Sequence, residues 1–272
     1  MRRPGTYVAC VRVHVVSDVH GNCSALARAG VGADALLVLG DLVDFVDYDD
    51  YRAGILGQVF GPDVVARFAK LRSCGQPGEL AHYSRSLWAT LADPRGTLED
   101  AVRAQYRRLF AALPVPCFLT PGNVDLPHLW PEFLSDGLRM LDGAVTEIGG
   151  LRFGFVGGLP MPSWIKTVRG GPWRPYIRPE DEFDRACAAL DRVDVLCSHV
   201  PPSVPELVYD IRSRRAEVGS RALLALIERD RPRTALFGHV HQPLAARARV
   251  RATECVNVGY FRRTERPFVL TW

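Results

Sequence analysis

Val13-His14-Val15-Val16-Ser17-Asp18-Val19-His20-Gly21-Asn22 is an apolar, β-branched run that ends in an acid, an imidazole and an amide. The same pattern returns four times. Leu36–Leu39 leads into Gly40-Asp41-Leu42-Val43-Asp44, and Val115–Leu119 leads through Thr120-Pro121 into Gly122-Asn123-Val124-Asp125. Val193–Cys197 leads into Ser198-His199, and Leu236-Phe237 into Gly238-His239-Val240-His241. Continuous β-branched runs of this length read as strands buried on both faces. Five strands that each end in Asp, Asn or His read as one site at the carboxyl edge of a sheet, where open α/β sheets bind ligands. Imidazole, carboxylate and amide oxygen without thiolate is a donor set that suits divalent transition metals.

Outward from these runs, further strands are expected at Leu151–Val156, Thr253–Val258 and Phe268–Thr271. Helices are expected at Asp63–Arg72, Glu79–Leu91, Thr97–Leu113, Glu180–Leu190 and Ser220–Arg229. The third has Leu98, Val102, Tyr106, Leu109 and Leu113 on one face, Thr97 with Asp100 as a capping box, and Pro114 as its stop. Gly30–Gly32 and Gly149–Gly150 mark turns. After His241 little helix separates the strand candidates, so an antiparallel half is expected. The sum is a mixed α/β sandwich, two sheets packed together with helices outside. Residues 45–112 read as a mainly helical insertion within a single domain spanning 1–272. It serves either as cover for the sheet or as a lid or dimerisation arm. Trp164–Pro179, dense in Pro, Gly, Trp and Arg, reads as a long ordered loop of the kind that lines sites.

The chain has 272 residues, with 47% hydrophobic and 24% charged, enough for a full core in a globular protein. Its formal net charge of +4 is too mild to argue for nucleic acid. Lys70 and Lys166 are the only lysines, so the arginine excess reads as coding bias rather than as a binding surface. The seven cysteines are odd in number, irregular in spacing and form no CxxC pair, which fits a reducing cytoplasm. No apolar run has membrane-spanning length, and the stretch after Arg2-Arg3 is a strand rather than a cleavable signal.

Two metals about 3.5–4 Å apart hold a water between them and clamp an oxyanion. The arrangement needs a bridging carboxylate and about three further ligands per ion. Asp18, His20, Asp41, Asn123, His199, His239 and His241 supply seven candidates. Neutral imidazoles and an amide leave such a site cationic, which suits a phosphate ester and makes hydroxide accessible near neutral pH.

The five clusters, in this order, resemble the five blocks of the calcineurin-like metallophosphoesterase superfamily. The resemblance implies a four-layer α/β/β/α sandwich of two mixed sheets flanked by helices. It implies that Asp18, His20 and His241 hold one ion, that Asn123, His199 and His239 hold the other, and that Asp41 bridges. Asp41, Asn123 and His199 form the catalytic set. Asp44 and Asp125 are the carboxylates that orient the ligands. Asn22 donates to a phosphate oxygen or forms a turn. The two ions are drawn from Mn, Fe, Zn, Co and Ni.

One position departs from the family pattern. The third block usually reads Gly-Asn-His-Asp, and its histidine serves the leaving group; here the position is Val124. General acid catalysis contributes about 10²–10⁴-fold, and family members without this histidine resemble phosphodiesterases. Diester hydrolysis of a phosphate ester, a small molecule, is therefore the favoured reading; His128 and His82 are candidates to replace the missing imidazole, and neither is assigned the role. The alternatives are a non-enzymatic scaffold of the same fold and a nuclease. For a nuclease, Arg107-Arg108 and Arg212–Arg215, interrupted by Ser213, are short basic clusters that surface solvation explains just as well.

Overall fold

The computed structural model describes residues 10–75, 77–161 and 170–272. Arg2-Arg3, Lys166 and the first part of the Trp164–Pro179 stretch lie outside the described residues.

The apolar runs form strands because both of their faces are covered. The chain runs β1 (Arg12–Val16), α1 (Cys23–Leu26), β2 (Ala35–Val38), α2 (Gly54–Phe60), α3 (Pro62–Ser73), α4 (Pro77–Trp88) and α5 (Pro94–Ala112). It continues through β3 (Cys117–Leu119), a 3₁₀ turn at Pro127–Glu132, β4 (Leu138–Met140), β5 (Ala144–Ile148), β6 (Leu151–Val156), β7 (Leu159–Met161) and β8 (Ile177–Pro179). Then follow α6 (Glu180–Ala189), β9 (Val195–Ser198), α7 (Pro205–Val208), the short pair β10 (Tyr209–Asp210) and β11 (Arg215–Ala216), and α8 (Arg221–Asp230). The last elements are β12 (Thr234–Phe237), β13 (Arg247–Val250), β14 (Thr253–Asn257), α9 (Phe261–Thr264) and β15 (Phe268–Thr271).

Two large mixed sheets result, with strand orders β15-β1-β2-β3-β4 and β13-β14-β12-β9-β6-β5. β1, β2 and β3 are parallel, as are β6, β9, β12 and β14, so their carboxyl ends gather at shared edges. Alternation along the strands divides the buried side chains among three cores. Val13, Val15, Leu37, Phe153, Val195 and Leu236 fill the space between the sheets. Val16, Leu36, Val38 and Leu119 face α5 through Leu98, Val102, Tyr106 and Leu109. Leu196, Ala235 and Phe237 face α6 and α8 through Phe183, Leu223 and Ile227. Three cores between four layers make the α/β/β/α sandwich. Among the described residues no helix is long and apolar enough to cross a membrane.

Helices α2–α5 share the core of the first sheet: Ile55, Leu56, Val65 and Trp88 belong to the same cluster as β1 and β2. Two local readings are corrected. α5 starts three residues before Thr97. Asp93 is its N-cap, accepting from the Gly96 N–H at 2.9 Å, with Pro94 just after it; Asp100 instead faces Arg103. A cap is set by where the chain bends, and Asp93-Pro94 bends it first. The C-terminal quarter is antiparallel only in part. β14 pairs with β13 antiparallel but with β12 parallel, and β15 returns to the first sheet beside β1. Short strands carry their own pattern but not the identity of their partner.

Candidate metal centre

The strand ends converge through strained turns that lock onto one another. Asp18, His20, Asp41 and His239 have φ of 58°, 40°, 54° and 67°. A left-handed backbone costs an L-residue about 1–2 kcal/mol, and such strain concentrates at functional sites. Hydrogen bonds hold the first two turns together. The Asp18 N–H donates to the Gly40 carbonyl at 3.0 Å, that of His20 to Asp41 at 2.9 Å and that of Gly21 to Leu42 at 2.9 Å. The third turn lies so close that a Cβ at Gly122 would sit 2.2 Å from Oδ1 of Asp41. A Cβ at Gly238 would sit 2.3 Å from Oδ2 of Asp18. Glycine before Asn123 and before His239 is thus a requirement of close approach.

The side chains form a chain of ligand-type atoms. Nε2 of His241 lies 3.3 Å from Oδ1 of Asp18, and Nε2 of His20 lies 4.0 Å from that same oxygen. Asp41 reaches both ways, with Oδ2 at 3.8 Å from His20 Nε2 and Oδ1 at 3.5 Å from His199 Nε2. Beyond it, His199 Nε2 faces Asn123 Oδ1 at 3.0 Å, and the His199 and His239 rings meet edge to face with centroids 5.2 Å apart. Asp18-His20-His241 and Asp18-Asp41-His199 each bring one ligand atom per residue within 4.8 Å. His239 and His241 do not point the same way, as alternation along a strand would have it. The strand ends at Phe237, and the positive φ of His239 sends its ring toward His199 while His241 joins His20.

Electrostatics follow from burial. Burial acts to raise the Asp18 carboxyl, but His241, His199 and His20 outweigh it and hold the group well below the usual carboxylate range. Burial pushes His20 down, with His241 adding, and pushes His239 down to about 4, with His199 adding. For His241 burial works the same way, yet Asp18 draws it up. Imidazoles held neutral keep the lone pair that a metal needs.

The supporting residues are placed as follows. Asp125 is buried and accepts four hydrogen bonds: from the Leu42 and Val43 N–H groups and the Tyr106 hydroxyl at Oδ1, and from the Gly122 N–H at Oδ2. Burial and the charge of Asp41 push it up to about 7. Asp44 pairs with Arg262 at 3.0 Å; burial raises it to about 6, with Arg262 opposing and Asp47 adding. Val124 offers only its backbone, donating to Asp41 Oδ1 at 2.9 Å, while its side chain joins the first core. His128 and His82 are exposed, on the 3₁₀ turn and on α4. Asn22 caps α1 through Oδ1, and its amide N–H groups donate to the Arg262 carbonyl and to Glu265. That is the turn-forming role, and it leaves the amide no free hydrogen. His14 is buried, with Nδ1 2.7 Å from the Ala29 carbonyl. Residues 170–176 flank the site: the Tyr176 N–H donates to the Asn123 carbonyl, and Trp173 stacks on Phe45 with centroids 4.1 Å apart.

Sequence reading missed the segment 257–262. Asn257 donates to the Gly238 and Val240 carbonyls, Tyr260 stacks on His241, and Arg262 reaches Asp44 and Asp47. The only signal was Asn257-Val258-Gly259 at the end of a strand.

The residues fit divalent ions on physical grounds. Nε2 of His20 and Nε2 of His239 are buried without a hydrogen-bond partner, and buried Oδ1 of Asp18 faces imidazole nitrogens of His241 at 3.3 Å and His20 at 4.0 Å. Buried polar atoms are rarely left so, and all three are of the kinds that can ligate a divalent ion.

A family model described as calcineurin-like phosphoesterase matches residues 77–243, more than half of the chain. The chain belongs to the calcineurin-like phosphoesterase family. The matched span carries Asn123, His199, His239 and His241; Asp18, His20 and Asp41 lie before it and reach the same place through the fold. One crystal structure superposes on 96% of this chain and 95% of its own with a TM-score of 0.57 at 14% identity. The crystal structure of TT1561 of Thermus thermophilus superposes on 96% of this chain and 99% of its own, with a TM-score of 0.52 at 15% identity. Both are likenesses of fold. A search of curated proteins found no match.

Proposed function

We propose that this phosphoesterase works with two divalent ions and prefers phosphodiesters of small molecules. In this reading Asp18, His20 and His241 hold one ion, Asn123, His199 and His239 hold the other, and Asp41 stands between them. The supporting geometry is the reach of Asp41, one oxygen toward His20 and the other toward His199. Divalent ions bound there would polarise the phosphoryl oxygens and acidify a water.

The chain's own contribution is placement. The Val124 N–H fixes Oδ1 of Asp41, and the Leu39 carbonyl, 2.8 Å from Nδ1 of His199, fixes that imidazole with Nε2 toward the centre. Asp125 gathers the backbone of the second and third turns so that Asp41 and Asn123 stay adjacent.

Val124 carries the preference for diesters. Its apolar side chain gives the leaving oxygen no proton, and the two substitute histidines sit exposed on other elements. Val124→His tests this reading. Monoesterase activity is expected to rise relative to diesterase activity, by up to the roughly 10²-fold lower end of general acid catalysis. An unchanged ratio would contradict the account of this position.

A further inference from the structure

We propose that Tyr260 is a positioning residue for the open half of the centre: its ring orients the His241 and His20 imidazoles toward one cation shared with Asp18. The inference rests on reading those three residues as ligands of one ion.

Metal-binding histidines are usually fixed through the ring nitrogen that does not face the metal. Two of the four follow this rule. Nδ1 of His199 lies 2.8 Å from the Leu39 carbonyl, and Nδ1 of His20 lies 3.2 Å from the Val43 carbonyl. His241 has no such hydrogen bond among the described residues, and its side chain is 37% exposed where that of His199 is 0%. It has a phenol ring instead. Tyr260 lies flat on His241, with centroids 3.9 Å apart and planes 4° from parallel. The same ring meets His20 at 5.7 Å and 78°, and His20 meets His241 at 5.3 Å and 76°. Turning the His241 imidazole about its Cβ–Cγ bond would drive its edge into the phenol face. Stacking thus does for His241 what a carbonyl does for His20 and His199.

Tyr260 is itself held firmly. The next two N–H groups, of Phe261 and Arg262, donate to the Ser17 and Asp18 carbonyls at 3.0 Å each. Phe261 is buried in the first core, and Asn257 ties the same segment to the turn that carries His239 and His241. The ring that braces His241 therefore stands on the backbone that carries Asp18.

The test is Co²⁺ titration of the full chain, read by visible absorption and by calorimetry. Wild type, Tyr260→Leu, Tyr260→Gln, Tyr260→Phe and His241→Ala are compared, with thermal melting of each metal-free protein as the folding control. His241→Ala is expected to lose one class of Co²⁺ site. Tyr260→Leu and Tyr260→Gln are expected to weaken that same class about 10-fold, the low end for residues that orient metal ligands, and to shift its absorption band. Tyr260→Phe, which keeps the ring, should restore both. If His241→Ala loses a site while folded Leu or Gln variants keep wild-type affinity and spectrum, positioning by Tyr260 is wrong. If His241→Ala loses nothing, the ligand assignment falls, and Tyr260 with it.

Discussion

The two halves of the candidate centre are built differently. Around His199, Asn123 and Asp41 the side chains are buried or half-buried and fixed mainly by the sheets' own strand ends: the Leu39 carbonyl, the Val124 N–H and three backbone donors on Asp125, with the Tyr106 hydroxyl of α5 as the fourth. Around His20 and His241 the site is more open, and the bracing comes from a segment more than 200 residues after Asp18 in sequence, through Tyr260 and Arg262. One half is held by backbone that the core strands bring with them. The other depends on a later part of the chain arriving.

The comparison predicts where substitutions hurt. The largest effect on stability belongs to the buried half. Asp125→Ala strips four buried donors of their acceptor, at about 1–3 kcal/mol for each group left unsatisfied. Losses do not add fully, so a total of about 4 kcal/mol is expected from urea unfolding; a loss below about 1 kcal/mol would show that Asp125 is not the keystone described. Next comes the open half. Arg262→Met leaves Asp44 and Asp47 without their cation. Breaking a buried pair costs about 3–5 kcal/mol, and partial exposure of Arg262 brings the expectation to about 2 kcal/mol, read by the same unfolding measurement. A smaller effect, about 1 kcal/mol, is expected for Tyr106→Phe, which removes the hydroxyl between Asp125 and the Leu126 N–H.

His239 titrates near its ordinary 6.5 when unfolded but near about 4 when folded. Between these values the unfolded chain binds more protons at this residue, so its contribution to stability falls as pH drops. Metal-free wild type should therefore lose stability relative to His239→Gln as pH is lowered from 6.5 to 4. A difference that stays flat would mean that the imidazole is not buried as described.

Much of the buried half was legible in the sequence, because its residues sit at the ends of strands whose apolar runs announce them. Asp41, Asn123 and His199 each follow such a run within a few residues, as Asp18 does for the open half, and the parallel pairing of β2 with β1 and β3, and of β9 with β12, brings them to shared edges. The braces were not legible. Tyr260 and Arg262 lie in a short turn with no apolar period, and their roles depend on tertiary contacts to Ser17, Asp18 and Asp44. The direction of His239 was hidden for a related reason: a single positive φ after Phe237 undoes the alternation that a strand would impose. The start of α5 was misplaced because Thr97 has a capping composition, while Asp93 has the capping geometry. β15 gave a clear strand signal, but nothing local says that it closes the first sheet beside β1.

The central claim is that these strand ends form a two-ion centre for phosphodiesters. Its most direct test is hydrolysis of bis-p-nitrophenyl phosphate and of p-nitrophenyl phosphate by protein stripped of metal and reloaded with manganese, with Asp41→Asn as the control. The account predicts turnover that requires manganese, favours the diester and falls to background in the control. Equal or greater monoester turnover would contradict the role given to Val124. No turnover of either ester by protein with manganese demonstrably bound would contradict the enzyme and leave a metal-binding scaffold.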